Sequence, residues 1–214
     1  NFQTAEDVLA FTNANGITGS WNGTTGVLSL SGSATLANYQ AALRSITYNN
    51  TSENPNTANR TISFVGNDGT ANSNTITQTV TVGAANDAPV LAGAGTTTAF
   101  TENGGAVVIS NTVTVADADN ANLSSATVSI TGNFQTAEDV LAFTNANGIT
   151  GSWNGTTGVL SLSGSATLAN YQAALRSITY NNTSENPNTA NRTISFVAND
   201  GTANSNTITQ TVTV

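Results

Sequence analysis

The chain has 214 residues and a net charge of −8, with four arginines as its only cations against twelve carboxylates, and it lacks cysteine, histidine, lysine and methionine. Disulfides, thiolate metal sites and histidine-based triads are therefore excluded, and the acidic balance opposes association with nucleic acid or anionic membranes. No apolar run approaches the roughly 20 residues that carry a helix across a bilayer, so no membrane insertion is expected.

Residues 1–82 recur at 133–214 with a single change, Gly66 to Ala198, an offset of 132 residues. A period of that length predicts tandem whole domains rather than a solenoid of short units. It also argues against an enzyme, because two near-identical copies cannot divide a catalytic task. The first residue falls inside a repeat, so the chain is expected to belong to a longer protein.

In chain order, residues 17–21 and 27–31 flank Asn22-Gly23-Thr24-Thr25-Gly26 and predict a hairpin. Leu36, Tyr39, Gln40 and Leu43 recur at helical spacing, which predicts a short helix over 34–43. Period-two alternation then predicts strands with Ile46 and Tyr48, and with Ile62 and Phe64, facing inward. A further strand over 74–82 places Ile76, Gln78, Val80 and Val82 on one face. Residues 83–90 read as a linker, since Pro89 is barred from a central strand and Gly83 precedes two alanines. Beyond it, Val113 with Val115, and Ala126 with Val128 and Ile130, predict two more strands before the repeat resumes.

Seven or eight strands per period predict an all-β chain of tandem immunoglobulin- or cadherin-like β-sandwich repeats. Trp21, Phe11, Phe64 and Tyr48 are the expected large core residues. Residues 1–82 are the C-terminal part of one sandwich, 83–90 a linker and 91–214 a complete sandwich. The partial copy lacks counterparts of 96–132 and would expose unpaired edges unless upstream sequence or a neighbouring chain supplies them. Alanine at 198 in place of Gly66 predicts ordinary extended backbone there.

The chemistry lies in the acids. Asn86 and Asp87 sit in the NDAP linker, Glu102 in TENGG, and Asp117 with Asp119 in DADN. Asp200 and its counterpart Asp68 occupy NDG turns. An immunoglobulin-like topology can gather the linker, an early strand and the DADN loop at one end, with Asp68 of the preceding module reaching it. Ca2+ takes six to eight hard oxygens, and with no lysine to neutralise these carboxylates a divalent ion would relieve their repulsion. The competing reading is that Asn-Asp-Gly and Asn-Asp-Ala-Pro are turn formers in their own right. DADNAN does not match an EF-hand, whose fifth, sixth and twelfth positions are here Ala121, Asn122 and Val128. Glu6-Asp7 and Glu138-Asp139 are adjacent in extended chain and point to opposite faces, which suits a structural cap or a second calcium site better than glycoside hydrolysis.

The order NDAPV, TENGGAVV, TVTVADADNANLSSATVSITG, GVLSLSG with ANYQAALRSITYNN, and RTISFVANDG resembles the cadherin-like and VCBS-type tandem repeats of giant bacterial adhesins. The resemblance implies secretion, cell-surface display and extension of a distal binding domain. By the same likeness Glu102, Asp117, Asp119 and Asp87 would be interdomain calcium ligands, although cadherin linkers carry more acids than NDAP.

The expected function is a spacer repeat of a surface adhesin or matrix protein, stiffened by calcium, with neighbouring repeats and other copies of the chain as partners. One alternative is a self-assembling extracellular filament whose neighbours complete one another's strands. Another is a glycan-binding module using Trp21 and Tyr39.

Overall fold

The computed structural model describes all residues, 1–214, and divides into two compact units, Asn1–Ala85 and Asn86–Val214. The first contains β1 (Asp7–Ala10), β2 (Thr18–Asn22), β3 (Val27–Ser31), α1 (Leu36–Arg44), β4 (Thr47–Asn50), β5 (Arg60–Phe64) and β6 (Ile76–Val80). In the second, β7 (Val90–Ala92), β8 (Thr97–Ala99), β9 (Val107–Val108), β10 (Thr114–Ala116) and β11 (Asn122–Gly132) come first. They are followed by β12 (Asp139–Ala142), β13 (Thr150–Asn154), β14 (Val159–Thr167), α2 (Leu168–Ser177), β15 (Thr179–Asn182), β16 (Arg192–Asn199) and β17 (Ile208–Thr213).

The second unit is all-β apart from α2 and has the layered form of a sandwich. A six-stranded sheet runs β13-β14-β11-β16-β17-β8, faced by the three-stranded β12-β15-β9, with a β10-β7 pair beside them. All pairings are antiparallel except β8 with β17, where Thr97 to Ala99 run alongside Thr211 to Thr213. Between the layers lie Val128, Leu160, Leu162, Phe196 and Val212 from the large sheet and Leu141 and Tyr180 from the small one, all essentially without solvent contact. Phe100 meets the Tyr180 ring edge-on, centroids 5.4 Å apart, the geometry aromatic pairs prefer.

β11 is the central strand. Val128 lies opposite Leu160 on one side and Phe196 on the other. Ala126, Val128 and Ile130 point into the core, as their alternation predicts. Leu123 is buried too although its parity is opposite, because a bulge between Leu123 and Ser125 resets the register.

The helix forms where the 3.6-residue spacing places it. Thr167 caps α2, its hydroxyl accepting from the Asn170 N–H at 3.2 Å. Tyr171 and Leu175 are buried as α2 packs against β10, β11 and β14, and the Tyr171 hydroxyl donates to the Gly164 carbonyl at 2.7 Å. Gly164 sits where the register of β14 against β11 shifts, with φ +126°, and a Cβ would stand 2.2 Å from the Gly148 carbonyl oxygen, so no other residue fits. The predicted hairpin turn is also present: the Asn154 carboxamide oxygen accepts from Thr156 and Thr157 N–H, and its carbonyl accepts from Gly158 N–H.

The first unit shows the same sequence without the strands that precede it in the second. Its six strands form three separate pairs, β1-β4, β2-β3 and β5-β6. Ile76 is 60% exposed whereas its counterpart Ile208 is 5% exposed. Of the expected aromatic core, Tyr180 and Phe196 are fully buried, whereas Trp153 and Phe143 are partly buried at its margin. Their counterparts Tyr48, Phe64, Trp21 and Phe11 are all only half-buried. At the one position that differs, neither residue has positive φ, and Ala198 lies in β16 with its N–H donated to the Ser205 hydroxyl at 2.9 Å.

Candidate functional site

Most of the candidate acids of the second unit gather at one end, around the turn that joins β16 to β17. Asp200 holds that turn, its Oδ1 accepting from Thr202 N–H at 2.6 Å and Ala203 N–H at 2.7 Å. Its Oδ2 accepts from the Asn86 carboxamide at 2.9 Å, and the Asn86 carboxamide oxygen accepts from Asn120 at 3.0 Å. Asp87 donates its N–H to Asp119 Oδ2 at 3.2 Å. Asp117 Oδ1 closes the DADN turn by accepting from Asp119 and Asn120 N–H at 3.1 and 2.8 Å. A web of hydrogen bonds thus links Asn86, Asp87, Asp117, Asp119 and Asp200, from stretches of chain more than a hundred residues apart.

The web answers the repulsion expected of crowded carboxylates in an unforeseen way. Asparagine amides and backbone N–H groups, rather than cations, supply the positive ends of dipoles. Burial alone would raise the Asp200 pKa, but the Ala203 N–H, the Asn86 amide and the Thr202 N–H outweigh it and hold the carboxyl below the usual range. One oxygen is left over: Asp117 Oδ2 is closed off from solvent and has no hydrogen-bond partner. The donors are hard oxygens of the kind Ca2+ takes, but nowhere in the chain do three or more acids converge as a ready ligand set. The Asn86 amide on Asp200 and the Asn120 amide on Asp119 occupy directions a cation would need.

Two candidate residues lie elsewhere. Glu102 follows β8, whose Ala99 pairs with Thr213 at the far end of β17, about 20 Å along the strand from the Asp200 turn. Asn103 beside it donates to Glu185 at 3.4 Å, in the loop after β15. The parallel course of β8 against β17 carries the early strand away from the DADN loop, so the expected convergence of Glu102 with Asp87, Asp117 and Asp119 does not occur. Asp68 sits in the β5–β6 turn of the first unit, at the start of β6, whereas the chain leaves that unit beyond the other end of β6. There its Oδ1 accepts from Thr70 and Ala71 N–H, both at 2.8 Å, which holds its pKa down; this is the local turn chemistry of its copy Asp200.

Sequence reading missed a second polar constellation, between the sheets. Asp139 is buried and accepts from Arg192 Nε at 2.8 Å, the Tyr180 hydroxyl at 2.6 Å, the Asn182 amide at 2.8 Å and Gln135 N–H at 2.8 Å. Burial, then the hydrogen bond to Asp139, push the Tyr180 phenol well above its ordinary pKa. The first unit repeats the set with Asp7, Arg60, Tyr48 and Asn50. A signal existed: Arg192 shares its strand parity with Ile194 and Phe196, so alternation alone turns it inward. Of the paired acids, Asp139 is thereby a buried counter-ion, while Glu138 keeps a buried Oε2 without a hydrogen-bond partner.

The aromatic pair considered for glycan binding is not a free platform in the second unit. Tyr171 is fully buried, and Trp153 packs edge-on against Phe134 with centroids 6.3 Å apart.

No protein-family model matches the chain, and no solved structure matches it. Among curated proteins it is similar to halomucin of Haloquadratum walsbyi, 35% identical over 134 residues. The match covers 58% of this chain and spans 1% of that protein's length.

Proposed function

We propose that the chain is a stretch of spacer repeats from a very long extracellular or cell-surface protein, each repeat a β-sandwich that adds length rather than chemistry. The observation that carries this reading is the recurrence of 82 residues with one change, in a unit whose buried polar groups, Asp139 and Arg192 among them, are spent on holding the fold. The likeness to a small fraction of a protein named as a mucin supports a large, surface-located parent. Stretching single molecules that contain several repeats tests it. Equal, repeated unfolding events, each releasing one repeat's length of chain, are expected of a spacer; a single irregular extension would contradict it.

The finer part of the proposal is that Ca2+ binds at the Asp200 end, through Asp117, Asp119, Asp87 and Asp200, and stiffens the array. Support comes from the unpartnered Asp117 Oδ2 and the hard-oxygen donor set; binding would require the Asn86 and Asn120 amides to turn away. Glu102 is left out of this set by its position at the far end of β17, and Asp68 belongs to the other unit. A melting temperature that rises with millimolar calcium and falls again with EDTA is expected, by mass action on the folded state. An identical melt with and without chelator would remove calcium and leave the spacer.

A further inference from the structure

Gln210 is a carboxamide at a core position. It alternates with Ile208 and Val212 on the inner face of β17 and is 1% exposed. Burying a carboxamide is costly unless its donors and acceptors are met, and here both of its ends are. Nε2 donates to the Gly93 carbonyl at 2.6 Å and to the Ser110 hydroxyl at 3.2 Å. Oε1 accepts from the Thr96 N–H at 2.7 Å and from the Thr96 hydroxyl. One side chain of the last strand thus holds the stretch that leads into β8. Main-chain bonds continue the tie, from Gly95 N–H to the Thr209 carbonyl, Thr211 N–H to the Thr96 carbonyl and Phe100 N–H to the Thr213 carbonyl, at 2.8–2.9 Å.

The direction of β8 against β17 decides how this joint meets tension. In a tandem array the pull enters a repeat before β7 and leaves it beyond β17, because the end of one copy runs straight into a linker at residues 82–83. β7 is three residues long and paired with β10 alone, and the Gly93–Phe100 joint stands behind it. β8 is drawn by its N-terminal end and β17 by its C-terminal end. The two strands run parallel, so these pulls oppose each other along the pair. The evenly spaced ladder bonds and those of Gln210 are then sheared together instead of opening one after another. On the spacer reading, on which this rests, we infer that Gln210 is a force-bearing latch between the entry and the exit of each repeat.

Pulling the full chain at constant force, between Gly83→Cys and a cysteine appended to Val214, tests this on the second unit. The chain has no cysteine of its own, and a Cβ at 83 meets nothing within 4 Å. Gln210→Met keeps the side-chain length, removes its hydrogen bonds and is expected to speed forced unfolding at least about tenfold. Ser110→Ala removes a single partner of Nε2 and is expected to act in the same direction, by less. Val128→Ala, in β11 and outside the joint, is expected to lower the melting temperature with a smaller acceleration per degree lost. Equal acceleration per degree in all three variants, or none in Gln210→Met and Ser110→Ala, would overturn the latch. Equal, repeated unfolding events along an array would still leave the spacer in place.

Discussion

Arg192 and Asp139 stand 53 residues apart in sequence and meet inside the second unit, Nε to Oδ2 at 2.8 Å, both without measurable side-chain exposure. The remaining oxygen of Asp139 is taken by Tyr180 and Asn182, so strands β12, β15 and β16 are tied at one point. A buried pair adds little net stability against an apolar replacement, but removing one partner strands the other. Arg192→Met is therefore expected to cost about 3–5 kcal/mol in urea unfolding of the second unit. A loss under about 1 kcal/mol would mean that water reaches Asp139.

The copy of this pair in the first unit titrates within reach. Burial alone would raise the Asp7 pKa, but Arg60, Tyr48, the Gln3 N–H and Asn50 outweigh it and lower it to about 2. A folded pKa below the unfolded one gives stability that is complete above about pH 4 and lost as pH falls through about 2. The first unit's melting temperature should therefore hold steady from pH 7 to 5 as far as Asp7 is concerned, then fall toward pH 2. Asp7→Asn should flatten that acid slope while lowering stability at neutral pH. An unaltered slope in the variant would show that other carboxylates carry it.

The two copies predict their own glycine tolerance. Gly66→Ala should change stability by less than about 0.5 kcal/mol, since a Cβ there meets only the Ser73 hydroxyl at 3.8 Å and alanine already occupies 198. Gly164→Ala should cost about 2 kcal/mol or more, from positive φ together with the Gly148 carbonyl. Thermal melts of the two variants check both; equal effects would contradict the account of the Gly164 position in β14.

Much of this architecture was legible because alternation and helical spacing are local. The helix, the Asn154 hairpin and the inward faces of β11 and β16 follow from residues within a few positions of one another. What was not legible depends on pairing across distance. The bulge that buries Leu123 is a property of β11 against β14. The parallel course of β8 beside β17 sends Glu102 to the far end, and no residue in TENGG records it. The acid web was half legible: the sequence brought Asp87, Asp117, Asp119 and Asp200 under suspicion, but gave no sign that Asn86 and Asn120 amides would lie on them. Arg192 was overlooked although its parity turns it inward, because a charge is assumed to face water.

If calcium binds at the Asp200 end, Asp117 is its most exacting ligand, since Oδ2 has no other partner there. Asp117→Asn should then abolish the calcium-dependent rise in melting temperature while altering the melt in EDTA by less than about 1 kcal/mol. A variant that keeps the full calcium response would place the ion elsewhere.

Small-angle scattering on arrays of two, three and four complete repeats tests the spacer reading most directly. β11 alone spans roughly 36 Å, so each added repeat should lengthen the particle by a constant increment of about 40–50 Å. A radius of gyration that grows only as the square root of repeat number, with calcium present, would describe a flexible string of beads and contradict the account.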